Sequence, residues 1–116
     1  MVFDVLRSRG SDRDLEIIFD HLAGAFEALG DPADTAFARA ADRIRRIEDD
    51  MASPGRAPIR GTLREELMPG LRQVTKDRAI IYFLTDEAEG QVRILAIFFG
   101  GRDHLGHMLR RLRGGP

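Results

Sequence analysis

The chain has 116 residues, 43% of them hydrophobic, which suits one domain built on one core. It has no cysteine, so disulfides and thiolate metal sites are excluded. The formal net charge of −1 supplies no overall pull towards nucleic acid.

The amino terminus, Met-Val-Phe-Asp-Val-Leu-Arg, lacks the basic start and unbroken apolar run of a signal peptide. No window approaches the roughly 20 apolar residues that span a bilayer. A soluble protein without a membrane partner, residing in the cytoplasm, is expected. Val2–Leu6 is a short apolar run that reads as a first strand. Ser11, with Asp14 three residues on, resembles the capping box of a helix. Leu15, Ile18, Phe19, Leu22, Phe26 and Leu29 then mark one helical face, ended by Gly30. Asp31-Pro32-Ala33-Asp34 supplies an N-cap, a proline at the first helical position and an acid in the first turn. Phe37, Ala40, Ile44, Ile47 and Met51 continue at spacings of 3, 4, 3 and 4. Two amphipathic helices joined by so short a turn form an antiparallel hairpin.

Residues 52–61 hold two prolines and two glycines and read as a loop within the domain. Thr62 and Glu65 form a second capping-box pattern, opening at most one helical turn before Pro69-Gly70. Strands are expected at Leu71–Thr75, Arg78–Leu84 and Gln91–Phe98, joined by a tight turn at Lys76-Asp77 and a longer one at Asp86–Gly90. Gly100-Gly101 ends the last strand, and Arg102–Leu112 can form a short basic helix. The fold class is α+β, in the order β-α-α-β-β-β(-α), with the helical hairpin packed on one face of a small antiparallel sheet. The opposite face, bordered by arginines, is expected to be free to grip another macromolecule.

Residues 1–52 hold 12 acids and 7 bases, a balance of −5; residues 53–116 hold 7 acids and 11 bases, a balance of +4. This asymmetry could place a positive field on one face, or could reflect no more than solvated carboxylates on short helices. Seventeen of the 18 bases are arginine, the side chain suited to bidentate contacts with carboxylate or phosphate, although a composition bias gives the same skew.

Several strings then resemble, in order, the RelE/ParE superfamily of toxins from bacterial toxin–antitoxin pairs, and more closely its ParE branch. They are Arg13-Asp14-Leu15-Glu16-Ile17 with Phe19-Asp20, Pro69-Gly70-Leu71-Arg72, and Arg78 with Ile81-Tyr82-Phe83. Ile94-Leu95-Ala96-Ile97 and Gly100-Gly101-Arg102-Asp103 complete the set. Phe99 stands where many relatives carry a histidine, and Asp77-Arg78 replaces a common Gly-Arg.

The resemblance implies a toxin that arrests growth by binding a target, DNA gyrase first, and that is neutralised by a cognate antitoxin. The alternative it implies is a RelE-like endonuclease that cuts mRNA on the ribosome; a third is an inactive member that only binds its antitoxin. Cleavage by the RNA's own 2′-hydroxyl needs a base, an acid and cations around the phosphorane. Arg72, Lys76, Arg78, Arg102, His104 and His107 are the candidates for that chemistry, and Tyr82 reads as a core residue. For target or antitoxin binding the candidates are Arg72, Arg78, Arg93, Arg102, Leu105, Met108, Leu109, Arg110 and Arg111. The stretch Leu105–Arg113 is basic and amphipathic; its leucines could equally close one end of the core. His104 and His107 alone make at most half a metal site, no third ligand is suggested, and no cofactor is implied.

Overall fold

A computed structural model describes residues 2–100 and 104–114. Its elements in chain order are β1 (Asp4–Arg7), α1 (Arg9–Ala28), α2 (Ala33–Met51), α3 (Ser53–Arg56), β2 (Thr62–Leu63), β3 (Arg72–Lys76), β4 (Ala79–Asp86), β5 (Gln91–Phe99) and α4 (His104–Leu112). The strands form one sheet in the order β1-β5-β4-β3-β2. It is antiparallel from β2 to β5, and β1 joins the far edge parallel to β5.

The α1–α2 hairpin covers one side of the sheet, as the periodicity requires. Leu15, Ile18 and Leu22 of α1 and Ala40, Ile47 and Met51 of α2 meet Ala79, Ile81, Phe83, Val92, Ile94 and Ile97. The helix ends differ in detail from the sequence reading. Ser8, not Ser11, caps α1: its Oγ accepts the Ser11 N–H at 3.0 Å, while the buried Ser11 hydroxyl donates to the Ser8 carbonyl. Gly30, at φ 109°, takes the left-handed position beyond the end of α1. Helix α2 begins at Ala33, one residue later than expected, and Asp31 pairs with Arg39 instead of capping it.

Two further expectations are corrected. Thr62 and Leu63 open no helix; they pair with Gln73 and Arg72 as a minimal edge strand, and the single helical turn of the region is α3 in the preceding loop. The β3–β4 turn is centred on Asp77-Arg78, since Lys76 pairs with Ala79. Both turn residues have positive φ, 49° and 70°, as in a type I′ hairpin. Left-handed arginine is uncommon. Here the Gly100 N–H binds the Arg78 carbonyl at 3.0 Å, and Arg43 donates to the carbonyl of Asp77.

The larger correction concerns the second side of the sheet, which the chain covers itself. Leu71, Ile80, Tyr82, Ala96 and Met108 form a second buried cluster, flanked by Leu67, Met68, Leu84, Leu95, Phe98, Leu105 and Leu112. Helix α4 and the loop before β3 are therefore a lid on the face expected to be open. A bulge between Tyr82/Ala96 and Phe83/Ile94 puts both Leu95 and Ala96 on that side.

Beyond Arg7 the edge of β5 loses its strand partner, and side chains replace the ladder. The Ile97 N–H donates to Asp14 at 2.9 Å, and the Leu95 carbonyl accepts from Ser8 Oγ and from Arg111. Arg111 of α4 also ion-pairs with the buried Asp14 at 2.7 Å. Gly10 leaves room for that guanidinium: a Cβ there would lie 2.9 Å from Arg111 Nη1.

Removing the Asp14 carboxylate strands both a guanidinium and a backbone N–H. Asp14→Ala is expected to lower stability by about 3 kcal/mol in urea unfolding, and Arg111→Met by less, because Arg111 is partly solvated. In the double variant the two losses should fall short of additive. Simple additivity would mean that the pair is not coupled.

Candidate functional site

The ribonuclease candidates do not come together. Arg72 and Lys76 lie opposite Phe83 and Ala79, on the helix side of the sheet, and Lys76 pairs with Asp50 of α2 at 3.2 Å. Arg78 occupies the hairpin turn, over the ring of Phe99. His104 and His107 belong to α4, on the other side. Arg102 lies outside the described residues.

The binding candidates separate just as clearly. Met108 is fully buried, so it faces the core and not a partner. Leu105 packs in the second cluster and Arg111 is spent on Asp14. Arg93 and Arg110 are exposed and Leu109 is half-buried. Arg110 lies 2.7 Å from His107 Nδ1, and the His107 ring stacks on Phe98 with centroids 5.7 Å apart. The covering reading of the α4 leucines thus holds, with the arginines divided between a core ion pair and solvent.

One polar constellation does form on the α4 side. The Tyr82 hydroxyl lies 2.7 Å from His104 Nδ1. It donates to that nitrogen when the ring leaves it unprotonated, and accepts from it otherwise. On the same side Arg64 Nε donates to Gln73 Oε1 at 2.7 Å, and Gln73 Nε2 donates to Thr75 Oγ1 at 3.3 Å. Burial pushes the Tyr82 phenol above its ordinary value of 10.0; the charge of Arg64 opposes that shift and the charge of Glu66 adds to it. Arg64, Glu66 and Gln73 were not legible as site residues. Each belongs to a segment read as a turn or a plain strand, and only the sheet register brings them to Tyr82.

A tyrosine beside a histidine with an arginine nearby can pass a proton and steady an anion. Tyr82, however, has no exposed surface beneath α4. As it stands, the pair clamps α4 to β4. No group of three metal-ligating side chains occurs among the described residues, and none of their helices is long and apolar enough to cross a membrane.

A helical hairpin on one side of a five-stranded sheet, with a short terminal helix on the other, is the RelE/ParE fold. The chain is similar to a chain of the chromosomal ParDE TA system from P. aeruginosa, with a TM-score of 0.67 and 18% identity, covering 86% of this chain and 98% of that one. It is also similar to a chain of the toxin–antitoxin complex RelBE2 from Mycobacterium tuberculosis, with a TM-score of 0.52 and 16% identity over 86% of this chain and 100% of that one. No family model and no curated protein matches the sequence.

The raised phenol gives a pH signature with a definite sign. A tyrosine that holds its proton more tightly when folded stabilises fully below the unfolded value of 10.0, and that share is lost as pH rises through the folded value. Tyr82 is the only tyrosine and there is no tryptophan, so phenolate absorbance reports it alone. The phenolate should form only as the protein unfolds in alkali. Tyr82→Phe should remove this alkaline loss while costing about 1 kcal/mol at neutral pH. Phenolate formation near the ordinary value in a protein still folded would contradict the burial argument.

Proposed function

We propose that this protein is the toxin of a type II toxin–antitoxin pair, ParE-like, acting in the cytoplasm. It arrests growth by binding a macromolecular target, DNA gyrase first, and a cognate antitoxin neutralises it. The observation that carries the binding reading is the dispersal of the acid–base and cationic candidates over two sides of a sheet whose faces are both covered. Inhibition by binding needs no assembled catalytic set, only exposed surface. Arg93 and Arg110, solvated and free of structural ion pairs, are the candidate side chains for it. The likeness to chains of a ParDE system and of the RelBE2 complex supports a protein antitoxin as partner.

A second reading, RelE-like cleavage of ribosome-bound mRNA, is favoured by one contact, the 2.7 Å approach of Tyr82 to His104 within the influence of Arg64. It requires α4 to leave the sheet so that RNA can reach the phenol.

Induced expression of the full chain should stop growth, and co-expression of the small gene adjoining it should restore growth. The purified protein should block gyrase supercoiling and leave ribosome-bound mRNA intact. Arg93→Glu with Arg110→Glu should weaken that inhibition about tenfold at an unchanged melting temperature. Cleaved mRNA, with cleavage lost in Tyr82→Phe, would replace the first reading by the second. Antitoxin binding without growth arrest would leave an inactive family member.

A further inference from the structure

Where the middle of α2 passes the β3–β4 turn, a cleft of about 440 Å³ opens between the helical hairpin and the end of β5. Its wall carries Arg39, Arg43, Arg46 and Arg78, and its floor includes the half-buried rings of Phe26 and Phe99. The Arg39 guanidinium sits 4.1 Å above Phe26, while Arg43 and Arg78 lie 5.3 and 5.4 Å from the centre of the Phe99 ring. The single acid of the lining, Asp42, is engaged by Arg45, which points elsewhere, and Arg39 is matched by Asp31. Among the described residues Arg43, Arg46 and Arg78 have no carboxylate partner.

Gathering unpaired guanidiniums in one cleft raises the local potential and costs stability that an anionic ligand returns. Two of them are also held in place, Arg43 by the Asp77 carbonyl and Arg78 by a turn locked at both ends. Fixed forks lose little entropy on binding. We infer that this cleft docks an acidic segment of the antitoxin, with its carboxylates on Arg43, Arg46 and Arg78 and an apolar side chain on the Phe26–Phe99 floor. That the partner is the antitoxin rests on the proposed function; the chemistry of the segment rests on the cleft alone. A nucleic-acid strand fits less well. It gains from stacking bases on open aromatic faces, and here guanidiniums already stand over both rings.

The test is fluorescence anisotropy on the full chain with a labelled synthetic peptide of mixed Glu and Leu. A Gln/Leu peptide of equal length and a single-stranded DNA oligonucleotide serve as comparisons. The acidic peptide should bind, weaken as salt is added, and lose about tenfold in affinity in Arg46→Glu with Arg78→Gly. Glycine is chosen because it accepts the positive φ of that turn. If the double variant melts early, Arg46→Gln alone carries the test, since this exposed side chain holds no partner whose loss would unfold the protein. Equal binding of the Glu and Gln peptides, or unchanged affinity in the variants, overturns the inference. So does an oligonucleotide that binds more tightly than the peptide and is lost in the same variant. Growth arrest by the wild type is scored separately. Its absence beside intact, variant-sensitive peptide binding would remove the toxin reading and leave the acidic-segment site standing.

Discussion

The fold turns on one carboxylate. Asp14, near the start of α1, accepts the Ile97 N–H from the unpaired edge of β5 and the Arg111 guanidinium from α4. It therefore joins three elements that are distant in sequence and lie in three layers. A buried carboxylate with a single partner would be a liability, because desolvating the charge costs more than one contact returns. With a backbone amide and a guanidinium both donating, the charge is matched. The cost of breaking the set is what holds α4 to the sheet. The bulge at Leu95–Ala96 belongs to the same device, since the Leu95 carbonyl accepts from Ser8 and from Arg111.

Once α4 is fixed, the sheet has no open face, and function has to be sought in what remains outside. Tyr82 shows the effect. Its ring is core, its hydroxyl binds the first residue of α4, and its phenol is held neutral by burial. The chemistry that would suit ribonuclease action is therefore coupled to the position of α4, whereas a binding function uses side chains that are already solvated.

The helical hairpin was legible because its apolar residues recur at three and four over two long segments, a pattern only a helix buries on one side. The β4 and β5 strands were legible too, and they carried more than was read from them. Ile80-Ile81-Tyr82-Phe83-Leu84 and Ile94 to Phe99 are continuous apolar runs, without the alternation of a sheet wet on one side. That lack of alternation was the sign that the second face is covered. The minimal strand β2 was beyond reach, since two residues carry no period and only the register with β3 defines them. Ser8 was hidden by Ser11, which had the better-looking spacing to an acid; Asp14 had a different use. The partners of Tyr82 could not be found at all, because Arg64 and Gln73 reach it through strand pairing and not through any local motif.

Charge followed the same rule. The acidic first half and basic second half suggest two oppositely charged faces, but folding interleaves them. Arg7 pairs with Asp12 and Glu48, Lys76 with Asp50, and Arg111 with Asp14. Two of those pairs run between the halves and tie the sheet and α4 to the helices. The field that survives is set by the bases left over. Three of the four arginines of the α2 cleft come from the acidic half, so the net charge of a segment did not indicate where positive potential would gather. What did was local: Arg39, Arg43 and Arg46 recur at four and three along one helix, a basic stripe laid beside an aromatic floor. A stripe of that kind is a statement about the neighbour it awaits, because nothing in the chain's own packing neutralises it.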